Sequence, residues 1–162
     1  MNKIIILALV FSIKNVNAEN LNNLTFQDFY GQDVKLEDYN ISYRNGMLVN
    51  IWATWCTPCV KELPSLMRLQ KKMPGLTVVA ISVDRNKKIV KSFLKRKRFN
   101  QNTLVYLFDK NGKQFKSVDI SKVPTSILFN NKGEIVDIIY GERNWSGDIM
   151  INQIQEKLKK FY

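Results

Sequence analysis

The stretch VNIWATWCTPCVKELP, residues 49–64, decides which fold the sequence predicts. A largely apolar run that begins at Met47 leads directly into Cys56 and Cys59, and helical spacing starts behind them. These are the only two cysteines of a 162-residue chain that has no histidine. A disulfide that closes so small a ring would stabilise the fold by roughly 2 kcal/mol, against about 3 kcal/mol for a fifteen-residue ring. The pair therefore indicates chemistry rather than stability.

The position of the cysteines favours thiol–disulfide exchange. Cys56 lies at the predicted start of a helix, where unpaired N–H groups and the helix dipole favour a thiolate. The thiolate is the form that attacks disulfides. Cys59 follows one turn later on the same side and is close enough to displace a captured partner. A structural zinc site usually takes four ligands, mostly Cys and His, whereas this chain has two cysteines and no histidine, so such a site is not expected.

The first eighteen residues have the layout of a secretory signal peptide. A basic head ends at Lys3, an apolar run extends over Ile4–Ile13, and a small residue stands at Ala18. Ten helical residues span about 15 Å, half of the ~30 Å hydrocarbon core, so a permanent membrane span is disfavoured. The sequence predicts a signal peptide over 1–18 and one domain over 19–162, exported to the periplasm. An uncleaved N-terminal anchor stays an alternative.

Charge narrows the classes of partner. The chain has 25 Lys and Arg residues, of which Lys3 and Lys14 lie in residues 1–18. The remaining 23 basic residues and the 14 acidic residues give residues 19–162 a net charge of +9. Because the chain is predicted to be exported, nucleic acid is not expected as its partner. The positive charge instead favours anionic membranes or acidic proteins. Eight of the basic residues fall in Arg85–Arg98, most of them on a predicted helix over 86–98. That helix is predicted to be solvated, with peripheral membrane contact or steering to an acidic partner as the alternative.

Hydrophobic periodicity predicts an α/β chain. Two β-α-β crossovers imply parallel strands, and a late hairpin adds antiparallel strands at the edge. The predicted elements are a hairpin over 24–36, strands from Met47 and Leu76, a helix after the cysteines, the helix over 86–98, a strand from Thr103, a turn at 110–112, an irregular stretch from there up to Val123, a hairpin over 125–141, and a helix over 147–160.

Helical spacing also predicts which side chains face the core. The first helix has Leu63, Leu66, Met67 and Gln70 at helical spacing, the second is amphipathic with Ile89, Val90, Phe93 and Leu94 on its apolar face, and the last has Ile149, Met150, Ile154 and Leu158 facing inward.

Two stretches together resemble a known family. VNIWATWCTPCVKELP (49–64) and KVPTSILFNNKGEIV (122–136) are similar to the thioredoxin-like fold, and within it to the exported reductants of the TlpA, ResA and CcmG type. The order of elements extends the resemblance from about Leu24 to the C-terminus. It implies a thioredoxin-like α/β sandwich with a central mixed sheet, an N-terminal β-hairpin extension and flanking helices.

The resemblance also implies roles at the site. Cys56 would be the attacking thiolate, and Cys59 the more buried resolving thiol. Pro124 would be a cis-proline that faces the disulfide. The backbone of Val123 would pair with an extended substrate segment as an added strand.

The residues around the cysteines are expected to meet the substrate. Trp55 would form an apolar rim that a partner covers, and Thr57 and Pro58 would lie beside it. Trp52 is predicted to pack in the core, as large aromatic residues commonly do.

One departure from the cytosolic thioredoxins concerns an acidic group. They commonly carry a buried Asp six residues before the first cysteine, and this chain has Asn50 there. The exported group instead has an acid at the position of Glu62, three residues after Cys59, where a partly buried carboxyl could exchange a proton with that thiol. The alternative is an ordinary first-turn glutamate favoured by the helix dipole.

The resulting hypothesis is a dedicated reductant of protein disulfides, for example of apocytochrome c thiols or of a copper-centre assembly protein. A membrane thiol donor would re-reduce the Cys56–Cys59 pair, and the exchange needs neither a cofactor nor a metal. Two alternatives remain from other classes. One is a Cu(I)-binding module that uses both thiolates, and the other is a redox-inactive interaction domain.

Overall fold

A computed structural model describes residues 21–40, 46–100 and 102–160, so the predicted signal peptide lies outside the described residues. The strands are β1 (Thr25–Gln27), β2 (Asp33–Lys35), β3 (Met47–Trp52), β4 (Thr77–Ser82), β5 (Val105–Phe108), β6 (Thr125–Phe129) and β7 (Ile135–Tyr140). The helices are α1 (Glu37–Asn40), α2 (Thr57–Lys72), α3 (Lys87–Arg96), α4 (Lys113–Ser117) and α5 (Asp148–Lys159), with a 3-10 turn at Lys110–Gly112.

The strands form one mixed sheet in the order β2-β1-β5-β4-β3-β6-β7. β3, β4 and β5 are parallel, as the two predicted crossovers require, and β6 and β7 continue the sheet antiparallel. The N-terminal hairpin extends the other edge through β1 and β5. This confirms the predicted thioredoxin-like α/β sandwich and its hairpin extension.

The sheet separates two cores, and β3 contributes to both because successive side chains point to opposite faces. Leu48 and Trp52 pack with α2, α3 and α5 on one face, here called the α2-side core. Met47, Val49 and Ile51 pack with the N-terminal segment and α4 on the other, the opposite core. All six residues of β3 are buried, including Trp52, whose predicted core position is confirmed.

Two predicted core residues are exposed. Ile89 is 51 % and Ile149 78 % exposed. At about 100° per helical residue, Ile149 points about 140° away from Ile154, and Ile89 about 140° away from Leu94. The predicted inward faces were therefore too wide, and these two assignments are wrong.

The turn predicted at 110–112 is present as a 3-10 turn, but the stretch after it, predicted to be irregular up to Val123, begins with helix α4. Asp109 explains this, because its carboxylate accepts hydrogen bonds from the backbone N–H groups of Gln114 (3.0 Å) and Phe115 (3.1 Å). These bonds satisfy donors at the start of α4 that would otherwise lack partners. The preceding strand β5 begins two residues later than the predicted Thr103.

No helix in the described part of the chain is long and apolar enough to cross a membrane.

Candidate active site

Both cysteines lie at the junction of β3 and α2, as the sequence predicted. Cys56 is the N-cap of α2, with extended backbone (φ −90°, ψ 100°), and its Sγ accepts a hydrogen bond from the Cys59 N–H at 3.3 Å. The two sulfurs form a disulfide of 2.03 Å, with the Cα atoms 5.3 Å apart. The pair is therefore in its oxidised state at the end of the sheet where the parallel strands terminate.

The two cysteines differ in accessibility. Cys56 keeps 6 % of its surface exposed, whereas Cys59 has none. Trp55 beside them is 67 % exposed, and Thr57 and Pro58 are also on the surface. A reagent from solution can thus reach Cys56 but not Cys59.

The peptide bond between Val123 and Pro124 is cis, which confirms the expectation for that proline. Val123 and Pro124 directly precede β6, whose first residue, Thr125, is paired with Ile51. The two residues therefore lie next to the β3–α2 junction. The Pro124 carbonyl accepts a hydrogen bond from the Gly141 N–H at 2.9 Å. Within the described chain, neither the N–H nor the C=O of Val123 has a hydrogen-bond partner.

Glu62 is buried in the α2-side core with 2 % of its surface exposed. Its Oε1 accepts a hydrogen bond from Asn50 Nδ2 at 2.7 Å. Its Oε2 accepts from the Arg143 backbone N–H and from Trp145 Nε1, both at 3.0 Å. Three donors from two other segments, strand β3 and the loop before α5, therefore hold one carboxyl on the helix that carries the cysteines.

Burial raises the pKa of Glu62, although the hydrogen bonds from Asn50, Arg143 and Trp145 act to lower it. The helix starts at Thr57, so Glu62 is its sixth residue. The alternative of an ordinary first-turn glutamate is wrong for this reason. The carboxyl is instead a buried, titratable group one turn from Cys59.

Asn50 connects Glu62 to the sheet. Its Nδ2 also donates to Ser126 Oγ at 2.9 Å, while its Oδ1 has no partner in the described structure. Neither Ser126 nor Trp145 was predicted from the sequence. They lie 76 residues from Asn50 and 83 from Glu62, respectively, and no local pattern connects positions so far apart.

A second buried carboxyl, Asp84, fixes the loop that precedes the cysteines. It accepts hydrogen bonds from the Thr54 N–H (3.0 Å), Thr54 Oγ1 (2.6 Å) and Ser82 Oγ (2.7 Å). Asp84 is 2 % exposed and was also not predicted. It ties the end of β4 to the loop, which positions Cys56.

The described residues include no group of three or more His, Cys, Asp or Glu that could hold a metal.

Comparison with known proteins agrees with this geometry. The family model described as Redoxin matches residues 17–158. The thiol-disulfide oxidoreductase ResA of Bacillus thuringiensis subsp. konkukian is 30% identical over 140 residues, which cover 85% of this chain and 74% of the relative. ResA of Bacillus subtilis is 31% identical over 121 residues, 74% of this chain and 64% of the relative.

A solved structure shows the same architecture. It is a Chlorobium tepidum protein described as a thiol:disulfide interchange protein DsbE, with a TM-score of 0.70 and 25% identity, covering 83% of this chain and 92% of that one. The matched family, the relatives and the fold lead to one assignment. The chain belongs to the Redoxin family and is a thiol–disulfide oxidoreductase of the TlpA, ResA and CcmG type with the thioredoxin-like fold.

Proposed function

We propose that the chain is an exported, dedicated reductant of protein disulfides in which Cys56 attacks and Cys59 resolves. The observation that carries this proposal is the unequal exposure of the two cysteines at a helix start. Cys56 caps α2 and reaches the surface, whereas Cys59 is closed off behind it. The helix N-terminus stabilises the Cys56 thiolate in the reduced protein.

The reaction proceeds in two exchanges. The Cys56 thiolate attacks one sulfur of the partner's disulfide, forming a mixed disulfide and releasing the partner's other sulfur as a thiolate. Cys59 then loses its proton and attacks Cys56 Sγ, which expels the partner's first sulfur as a second thiolate. The partner gains two electrons, and the protein ends as the Cys56–Cys59 disulfide.

Glu62 is proposed to take the proton of Cys59 in the second exchange. It lies one turn along α2, and its raised pKa brings it closer to the working pH than an ordinary carboxyl. A base with a pKa near the ambient pH accepts the proton and afterwards returns it to solvent or to a donor.

The partner is proposed to bind as an extended segment next to Val123 and Pro124. The free N–H and C=O of Val123 can pair with that segment in the manner of an added strand. Exposed Trp55, Thr57 and Pro58 then meet the partner around the attacked sulfur.

The pathway is proposed from kinship and from the N-terminal sequence. Residues 1–18 would direct export to the periplasm, 19–162 would form the working domain, and a membrane thiol donor would re-reduce the cysteines. Substrates of the apocytochrome c or copper-centre assembly type fit a dedicated reductant. Strong oxidants of the related fold commonly insert a helical domain into the sheet, and the described connections between strands leave no space for one.

Trapping tests this proposal. Cys59→Ser removes the resolving thiol, so the mixed disulfide on Cys56 should accumulate in the exported compartment. Cys56→Ser, the matched control, should trap nothing. Recovery of one defined protein by non-reducing electrophoresis and mass spectrometry would identify the substrate. Equal trapping by both variants would refute the assigned order of attack.

A further inference from the structure

A cavity of about 140 Å³ lies next to the active-site loop, because Trp55, the neighbour of Cys56, is part of its lining. Its apolar part is formed by Ile51, Val83 and Ile120, and Trp55 and Val123 also line it. An apolar cavity of about 150 Å³ holds a molecule the size of benzene. This one therefore has room for a single medium-sized apolar side chain.

The cavity has a cationic rim. Lys116 and Lys122 line it and are exposed, and Lys110 and Arg85 line an adjoining groove that shares Asn111 with the cavity. Positive charge on both sides of one apolar opening favours an acidic ligand.

The neighbouring acids offset this charge only in part, although Asp109 attracts Lys116 electrostatically. Asp84 and Asp109 are 2 % and 3 % exposed and are engaged by the hydrogen bonds described above. Asp119 is the exposed acid of the segment from Lys110 to Lys122, which carries four lysines. The rim therefore keeps a net positive charge.

The position of the cavity suits the residue next to the attacked cysteine. Cys56 belongs to the α2-side core, whereas Ile51 and Ile120 belong to the opposite core. In an extended segment paired with Val123, successive side chains point to opposite sides. When the partner's cysteine points toward Cys56, the side chain of its neighbour points toward the cavity.

We infer that this cavity is a specificity pocket for an aliphatic residue adjacent to the substrate cysteine, and that Lys116 and Lys122 select an acidic residue on the same segment. The inference deepens the proposed function and rests on it. The chemical class of partner is a protein whose reducible disulfide lies in an acidic, aliphatic segment.

Four peptides that share one intramolecular disulfide test the inference, with Leu or Gly next to the attacked cysteine and Asp or Lys one position further. Oxidation of the pre-reduced protein is followed by tryptophan fluorescence. The Asp peptides should react about five- to tenfold faster than the Lys peptides at low salt, and this ratio should shrink in 1 M salt. The Leu peptides should react about tenfold faster than the Gly peptides.

Variants assign the two preferences to the pocket. K116E together with K122E should invert the Asp-to-Lys ratio, whereas K71E together with K132E, the same charge change on exposed lysines outside the pocket, should keep it. Val83→Phe should remove the preference for Leu by filling the cavity, and Val83→Ala should extend it to larger side chains. Thermal unfolding checks that each variant is folded.

The outcomes separate the two proposals. A wild-type protein that reduces none of the peptides would overturn the reductant function itself. A protein that reduces all four at equal rates would leave that function intact and overturn the pocket. Ratios that respond equally to both lysine pairs would also overturn it.

Discussion

Glu62 and Asp109 are both buried carboxyls, and burial raises the pKa of each, yet the structure uses them differently. Asp109 accepts hydrogen bonds from the backbone N–H groups five and six residues later in the sequence, and so it stabilises the start of the neighbouring helix α4. Glu62 accepts from Asn50, Arg143 and Trp145, which lie 12, 81 and 83 residues away. Burial and a raised pKa are therefore common to both carboxyls, and of the two only Glu62 lies one helical turn from a redox cysteine.

The largest expected difference between the two carboxyls is kinetic. Glu62→Gln should slow the resolving exchange by about 100-fold, because a positioned acid–base group contributes roughly 10²–10⁴-fold. Asp109→Asn should change that rate less than threefold and instead lower the free energy of unfolding by about 1–3 kcal/mol. Stopped-flow decay of a preformed mixed disulfide on Cys56 measures the first, and urea unfolding the second. Equal slowing by both substitutions would remove the distinction between the two carboxyls.

Asn50→Asp would sharpen the comparison by placing a second acid against Glu62. Two buried carboxylates cannot both ionise without strong repulsion, so we expect a loss of about 3 kcal/mol at pH 8. The loss should be smaller at pH 5, where the pair can share a proton. Urea unfolding of the oxidised protein at both pH values gives the result. A loss that is independent of pH would show that the Asn50 side chain acts only through packing.

Trp145→Phe should have a smaller effect, because it removes one of three donors to Glu62. The expected loss is about 1.5–3 kcal/mol, typical of a hydrogen bond to a charged group. Trp52→Phe is the matched control: Trp52 is equally buried, but its Nε1 has no partner in the described structure. If the two substitutions destabilise the protein equally, the hydrogen bond to Glu62 contributes nothing beyond volume.

The smallest expected effect is a slope of stability with pH. A carboxyl whose pKa is raised in the folded state stabilises the fold fully below its ordinary value, and this contribution is lost as pH rises through the raised value. The oxidised wild type should therefore lose stability between pH 4 and 8 relative to a variant carrying Glu62→Gln and Asp109→Asn. Glu156→Gln, at an exposed carboxyl of α5, is the control for losing one charge. A slope unchanged in the double variant would contradict the raised pKa values.

The sequence predicted the strands, the crossovers and the site of the cysteines well, because each depends on local rules. Alternation and apolar runs set β3 and β4, and a helix start sets the place of Cys56. Prediction from the sequence failed where a residue's burial or an element's formation depends on contacts with other parts of the chain. Ile89 and Ile149 fit a helical period but face outward, and α4 depends on the carboxylate of Asp109 rather than on an apolar pattern.

The sequence by itself determined that two cysteines one helical turn apart follow a buried strand, because that spacing is local and fixed by the chain. Only the tertiary structure decided what surrounds them. Trp145 and Arg143 reach Glu62 from 80 or so residues away, and the sheet brings Val123 beside Trp55. Such contacts depend on how strands and helices pack in space, and no local sequence pattern predicts them.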